Sequence, residues 1–283
     1  MSAGFSLAAL PESGAVAPGS LRLCLVPWSE SSPEFSLIAM VLAVLLLVYA
    51  AAGEPLLGRR AFAWLEARRH TDPTALVRFY GLTIGVQWLW AAIVVAILLT
   101  SPGLALEDVG LRAPEEWGPL LAALIGFCLA LLVVWLLTRD RGSKRKGGRA
   151  GEPPLPNPGG HALITLAPRS RTERRLAAGL AVTAGVCEEL LYRGLFVALG
   201  VAVGMPVWVA AVLSCVLFAF AHIYQGWWGL VGPGLLGALL TVLYLGTASL
   251  LVPIVLHVAL DLRALLSTGT GRRRRAPDLW GSG

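Results

Sequence analysis

The stretch AGVCEELLYRGLF, residues 184–196, places two adjacent glutamates and an arginine inside an otherwise apolar run. The whole chain is similarly apolar: 56% of its 283 residues are hydrophobic, only 14% are charged, and the mean hydropathy is +0.71. Such a composition is typical of a protein that crosses a membrane several times and excludes an ordinary soluble domain. The three charges therefore fall inside a predicted membrane span.

Seven apolar segments are candidates for membrane spans. Crossing the hydrocarbon core takes about 20 helical residues, and the candidates are 35–52, 79–100, 117–137, 176–198, 206–224, 230–245 and 248–267. The sixth is short and contains Pro233, so we expect it to be kinked or incomplete. Strand alternation is absent from the sequence. The predicted fold is an all-α, polytopic transmembrane bundle of about seven spans, with an eighth helix if segment 54–78 lies in the interface.

The distribution of basic residues predicts the orientation and organisation of the chain, because Lys and Arg are retained on the cytoplasmic side. Basic residues are concentrated in segment 54–78, in the loop between spans three and four, and in the C-terminal tail. This predicts an external N-terminus and a cytoplasmic C-terminus. The net charge of +6 is then explained by topology and anionic lipid, without a nucleic-acid partner. The predicted regions are a loosely ordered tail (1–33), spans one to three (34–138), a basic cytoplasmic loop (139–170), a core (171–268) and a basic tail (269–283).

Ionisable side chains inside the spans are the strongest functional signal, because each costs about 2.5–3.5 kcal/mol at the centre of a membrane helix. Glu189 and Arg193 are four residues apart and can pair on one helix face. Glu188 points away from Arg193 in an α-helix and remains a candidate general base. The ionisable residues cluster in spans four, five and seven: Glu188, Glu189, Arg193, His222, His257 and Asp261.

Three short motifs carry a family resemblance. They are EELLYR at 188–193, FAFAH at 218–222 and HVALD at 257–261. In this order they resemble the EExxxR, FxxxH and HxxxN/D motifs of the CPBP family of intramembrane proteases, also called the CAAX protease or Abi family, which includes the eukaryotic Rce1 prenyl-protein endopeptidase. Outside the C-terminal part of the chain, the resemblance is limited to a short GLR element at 110–112.

The resemblance implies a helical bundle whose polar cavity, within the membrane, hydrolyses peptide bonds. It implies that Glu188 and His222 activate water and that Glu189 and Arg193 hold the geometry, while His257 and its i+4 partner stabilise the oxyanion. That partner is Asp261 here, where the eukaryotic enzymes have Asn. A carboxylate donates no hydrogen bond, so we expect Asp261 to orient His257 or to coordinate a cation.

A divalent metal is the alternative to metal-free catalysis. Glu188, His222 and His257 are a plausible Zn²⁺ triad with a fourth position open for water, although the preferred interpretation requires no cofactor. The expected partners are the lipid bilayer and a peptide or membrane-anchored protein substrate, which enters a cavity open to the cytoplasm. The composition suggests a bacterial inner (plasma) membrane.

Two other functional classes stay open. A non-enzymatic scaffold or bacteriocin-immunity factor of the same fold would not need every motif residue. An ion or proton transporter also buries carboxylates and histidines, but such proteins more often have repeat-related halves. The first three predicted spans carry no notable ionisable side chain.

Overall fold

The computed structural model describes residues 32–114, seven positions between 117 and 129, and residues 160–267. Within these residues every regular element is helical, which confirms the all-α prediction. The α-helices are α1 (Leu37–Val48), α2 (Glu54–Arg68), α3 (Ala75–Thr100), α4 (Gly160–Leu166), α5 (Arg171–Glu188), α6 (Val197–Ala202), α7 (Val207–Ala221), α8 (Trp227–Thr247) and α9 (Leu251–Ser267). Two π-helical segments, Tyr49–Gly53 and Glu189–Phe196, join α1 to α2 and α5 to α6.

Three of the described helical stretches are long and apolar enough to cross a membrane: Leu37–Arg68, Ala75–Thr100 and Gly229–Thr247. The shorter α7 is also apolar. These helices indicate an integral membrane protein, with a span count that only approximates seven. The sixth predicted span is a helix of 21 residues with Pro233 inside it, which is longer than expected and long enough to span; the alternative of a kink stays a prediction. Most of the third predicted span, the 139–159 part of the basic loop and nearly all of both tails lie outside the described residues.

The first helical stretch is longer than its predicted span. Ser36 caps α1 by accepting a hydrogen bond from the backbone amide of Ala39. The helical stretch then runs without a break through the π segment and α2, and it is 32 residues long in total. At 1.5 Å per residue this is about 48 Å, which exceeds a hydrocarbon core of about 30 Å. The predicted interfacial segment 54–78 therefore comprises α2, a turn and the start of α3, and its position in the interface stays a prediction.

A buried ion pair fixes the start of α5. Ser170 and Glu173 form a reciprocal capping box, and Arg69 at the end of α2 lies 2.9 Å from the Glu173 carboxylate. Arg69 also donates to the carbonyl oxygens of Thr165 and Ala167. Burial opposes ionisation of Glu173, but the Arg69 guanidinium and neighbouring backbone amides outweigh it and lower the pKa of this carboxyl. Glu173 precedes the predicted span 176–198, so the pair joins α2, α4 and α5 at the end of the bundle.

The GLR element at 110–112 holds the turn between α8 and α9. The Arg112 Nε donates to the carbonyl of Ala248 over 3.0 Å, and the Leu250 amide donates to the carbonyl of Gly110 over 2.9 Å. Gly110 has a φ of +73°, and a Cβ there would also lie 3.1 Å from Leu250, so glycine suits this position on both grounds. These contacts fix the point at which α9 begins.

Helices α5 and α9 approach each other closely at Gly185. A Cβ at this position would lie 3.0 Å from the backbone nitrogen of Val258 and 3.3 Å from the carbonyl oxygen of Ile254. Backbone atoms cannot move aside as a flexible side chain can, so a residue without a side chain is needed there. The close approach places His257 of α9 beside the junction of α5 and the second π segment.

Candidate active site

A cavity of about 650 Å³ lies between the helices, and polar side chains from five of them line it. Four of the six predicted site residues are in its lining: Glu188, His222, His257 and Asp261. The other two, Glu189 and Arg193, are buried behind the wall with exposures of 0% and 1%. The structure therefore assembles all six into one region but divides them between the cavity and its support. The lining also contains polar residues that were not among the predicted site residues, and Glu54 and Gln87 are two of them.

Glu189 and Arg193 form the predicted i,i+4 ion pair. The Arg193 Nη1 lies 2.9 Å from the Glu189 Oε1, and Nη2 donates to the carbonyl of Gly237 over 3.1 Å. The guanidinium carbon also sits 4.3 Å from the centre of the Phe218 ring, in cation–π geometry. This pairing is confirmed, and the arginine also connects the second π segment to α7 and α8.

The helix around this pair is not the regular α-helix that was expected. Glu188 is the last residue of α5, and Glu189–Phe196 forms a π-helix. A π-helix has i→i+5 hydrogen bonds, and such segments are frequent at functional sites. The expectation of continuous α-helical geometry through 176–198 is therefore wrong from Glu189 onward.

His257 is held by Glu189 and not, as expected, by Asp261. The His257 Nδ1 lies 2.7 Å from the Glu189 Oε1, whereas the Asp261 Oδ2 lies 3.8 Å from the other ring nitrogen, Nε2. An ionised carboxylate only accepts, so Nδ1 carries the proton and donates it. The Nε2 atom faces the Glu188 Oε2 across 3.8 Å. The reason is the close contact of α5 and α9, which brings Glu189 nearer to the His257 ring than Asp261, one helical turn away.

The two oxygens of Glu188 have different surroundings. Oε1 accepts a hydrogen bond of 2.7 Å from the Gln87 Nε2 of α3, whereas Oε2 is buried without a hydrogen-bond partner within the described residues. Gln87 is missing from the predicted site because only charged residues and histidines were considered. The signal was present, since Gln87 is the one side-chain amide in the apolar segment 79–100.

His222 immediately follows α7 and is held by its own helix. Its Nδ1 lies 2.9 Å from the carbonyl oxygen of Phe218, and the two rings are 4.8 Å apart. A carbonyl oxygen only accepts, so Nδ1 carries the proton and the Nε2 of a neutral ring carries a lone pair. His222 lines the cavity, and its Nε2 is the ring nitrogen that the bond to Phe218 leaves unused.

Glu54 at the start of α2 adds a third glutamate to this region. Its Oε2 accepts a hydrogen bond of 2.6 Å from the hydroxyl of Tyr192 in the second π segment. The sequence reasoning assigned Glu54 to the interfacial segment 54–78 and so did not consider it for the site. Its contact with Tyr192 joins residues 138 positions apart, which no local pattern indicates.

The predicted Zn²⁺ triad is not assembled as a ligand set in this structure. Among the side chains in the described ranges, no three of His, Cys, Asp or Glu converge closely enough to hold a metal ion. The Nδ1 of His257 and the Nδ1 of His222 are both occupied by hydrogen bonds, which leaves only their Nε2 atoms as candidate ligands. The metal-dependent alternative at Glu188, His222 and His257 stays a prediction.

The comparisons with known proteins agree with the motif-based resemblance. Residues 172–263, about one third of the chain, match the model of the Rce1-like family, described as type II CAAX prenyl endopeptidase Rce1-like. The matched region contains all six predicted site residues, and it excludes Glu54 and Gln87. No curated protein and no solved structure matches this chain. The match confirms the resemblance to the CAAX protease family and supports a hydrolase that acts on a protein or peptide in the membrane.

Proposed function

We propose, on the premise that residues 172–263 are an Rce1-like domain, that this chain is an intramembrane endopeptidase. Its substrate is a peptide or a membrane-anchored protein that reaches the cavity of about 650 Å³. The proposal rests on one observation: the two cavity histidines are bonded through Nδ1 to different kinds of acceptor. A neutral carbonyl oxygen holds the Nδ1 of His222, whereas a carboxylate holds the Nδ1 of His257.

This difference suits the two histidines to opposite tasks. A ring held by a carbonyl is stable as neutral imidazole, so the Nε2 of His222 can accept a proton. A ring held by the Glu189 carboxylate is stabilised as imidazolium, so the Nε2–H of His257 can donate a hydrogen bond into the cavity. We assign to His222 the role of a base and to His257 the role of an oxyanion donor.

Hydrolysis then proceeds by activation of a cavity water. Glu188 and His222 take one proton from the water as its oxygen attacks the carbonyl carbon of the peptide. The carbonyl oxygen becomes an oxyanion that accepts a hydrogen bond from His257. Return of the proton to the peptide nitrogen breaks the C–N bond and leaves a carboxylic acid and an amine. The Oε2 of Glu188, which has no hydrogen-bond partner among the residues that the structure describes, is the oxygen available for this water.

Glu189 and Arg193 act in this mechanism as support. Glu189 accepts from both Arg193 and His257 through the same oxygen, so the arginine sets the position of the carboxylate that orients the ring. Asp261 lies near the Nε2 of His257 at the cavity surface. We propose that it strengthens the positive charge of that ring and does not itself donate to the oxyanion.

The decisive experiment compares purified wild-type protein with Glu188→Gln and His222→Ala in liposomes, using a library of membrane-anchored peptides. We expect both variants to lose at least about a hundredfold in kcat, while Glu107→Gln, an exposed carboxylate of the 101–114 loop, retains wild-type activity. Cleavage by Glu188→Gln at the wild-type rate would refute the mechanism. Binding of peptides without cleavage by the wild type would favour a scaffold or immunity factor.

The metal-free mechanism and the topology have separate tests. We expect a zinc chelator to leave the wild-type kcat unchanged. Loss of activity with the chelator that added zinc restores would replace this mechanism with a metal-dependent one at the same residues.

We also propose a bacterial inner membrane, an external N-terminus and a cytoplasmic C-terminus. Reporter fusions at residues 1 and 283 would establish the orientation, and signals from the opposite compartments would contradict it.

A further inference from the structure

We infer that Gln87 is a positioning residue for Glu188, and that α3 is therefore part of the catalytic unit although it lies outside the Rce1-like residues 172–263. This inference rests on the proposed function of Glu188. It adds a residue that none of the three motifs contains, from a helix to which the family match does not extend.

The contact between the two side chains is short, buried and directional. The Gln87 Nε2 lies 2.7 Å from the Glu188 Oε1, and the two residues are 3% and 6% exposed. The amide nitrogen donates to this carboxylate, and in the general-base role proposed for Glu188 the carboxylate accepts and does not donate. Hydrogen bonds to ionised groups are stronger than neutral ones, and burying a carboxylate without donors is costly. Gln87 thus supplies the hydrogen bond that holds this glutamate in one orientation.

The neighbouring residue fixes α3 against α5 at the same level. The Trp88 Nε1 donates to the Thr183 hydroxyl over 3.2 Å, so a second hydrogen bond connects the two helices beside Gln87. The amide is therefore presented by a helix whose position relative to α5 is itself held. Such support of a reacting group by a surrounding layer of contacts is what a precise site requires.

The two oxygens of Glu188 therefore have different roles in the proposed mechanism. With Oε1 held by Gln87, rotation of the carboxylate is restricted, and Oε2 stays directed toward the region where the His257 Nε2 lies 3.8 Å away. A water molecule can contact both of these atoms at once. Loss of the amide would let the carboxylate rotate, which lowers the rate of the chemical step without removing a contact to the substrate.

The test uses Gln87→Met, which keeps the length of the side chain and removes its donor. We expect kcat to fall by about ten- to a hundredfold, because misplacement of a reacting group by about 1 Å can cost a factor of about a hundred, with KM within about twofold of wild type. The matched control is Thr100→Val on the same helix, since Thr100 is exposed and, within the described part of the chain, its hydroxyl bonds only to carbonyls of α3. We expect this control to retain wild-type kcat.

Two further variants separate positioning from simple structural support. Gln87→Asn keeps an amide but is too short to reach Glu188, so it should lose kcat to a similar extent. In a Glu188→Gln background, Gln87→Met should reduce the residual kcat no further, because residues that act as a unit are not additive. Thermal unfolding of each purified variant accompanies the kinetics.

The outcomes distinguish this inference from the proposed function. Wild-type kcat in Gln87→Met, together with inactive Glu188→Gln, overturns the role of Gln87 and leaves the protease mechanism intact. Unfolding of both Gln87 variants assigns the residue a structural role and also overturns the inference. Full activity of Glu188→Gln overturns the proposed function itself, and with it the inference.

Discussion

Replacing Arg193 by methionine should strongly destabilise the protein, because the substitution removes the arginine from a buried carboxylate that then keeps only its contact with His257. Arg193 and Glu189 are 1% and 0% exposed and their closest charged atoms are 2.9 Å apart. At an effective dielectric constant of about 20, this separation corresponds to an attraction of about 6 kcal/mol. Removing one partner of a buried pair typically costs about 3–5 kcal/mol, since part of the attraction offsets the desolvation of the charges.

The arginine has further contacts that a methionine cannot replace. The hydrogen bond to the carbonyl of Gly237 and the position over the Phe218 ring are both lost. We therefore expect a cost in the upper part of that range for Arg193→Met. Arg193→Lys keeps the charge but not the planar group that meets several partners at once, so it should lie between wild type and Arg193→Met.

A double-mutant cycle in detergent micelles measures the effect. Equilibrium unfolding of wild type, Arg193→Met, Glu189→Gln and the double variant gives the coupling energy between the two residues. We expect the double variant to be more stable than Arg193→Met, because neutralising Glu189 removes the buried charge that has lost its arginine partner. Arg78→Met is the control, since the exposed Arg78 lies 3.7 Å from the half-buried Asp72 at the surface, and no measurable change is expected. A cost below about 1 kcal/mol for Arg193→Met, or strict additivity in the cycle, would refute the reasoning.

Three other substitutions have defined outcomes. Gly185→Ala should cost about 1–3 kcal/mol in thermal unfolding and reduce kcat, because its Cβ would press on the backbone of α9; wild-type values of both would contradict this close contact. The lowered pKa of Glu173 means that its ion pair contributes stability above the ordinary value of 4.5, and that this contribution is lost as the pH falls through the folded-state pKa. Melting temperatures between pH 7 and pH 3 should therefore fall more steeply for wild type than for Glu173→Gln, and parallel curves would refute the assignment. Tyr192→Phe should cost about 1–2 kcal/mol by removing the donor to Glu54, and an unchanged melting temperature would show that water replaces the hydroxyl.

The sequence predicts well what local spacing and apolar length determine. The i,i+4 pair of Glu189 and Arg193 and the separate environment of Glu188 follow from helical geometry and from the cost of charge in a membrane. The clustering of His222 and His257 near them follows from the order of the motifs. These features depend on residues close together in the chain or on a strong physical penalty, so few alternative arrangements are compatible with them.

Other features of the site depend on contacts between distant helices, which a single sequence does not indicate. Glu189 and His257 are 68 positions apart, and Gln87 and Glu188 are 101 apart. The π-helix over Glu189–Phe196 has no compositional signature comparable to that of an α-helix cap. An uncharged amide such as Gln87 also costs less in a membrane than a carboxylate does, so its presence in a span was a weaker signal.

The EExxxR motif is best understood as a means of placing two adjacent carboxylates in opposite surroundings. Successive residues of an α-helix point about 100° apart, so Glu188 can face the cavity while Glu189 faces the packed interior. Glu189 is tolerated there because Arg193 and His257 both approach it within 2.9 Å. That same interaction orients the imidazole whose other nitrogen faces the cavity. In the proposed mechanism, one carboxylate therefore both balances a buried charge and orients the His257 ring, and Glu188, held by a neutral amide, is the carboxylate assigned to activate water.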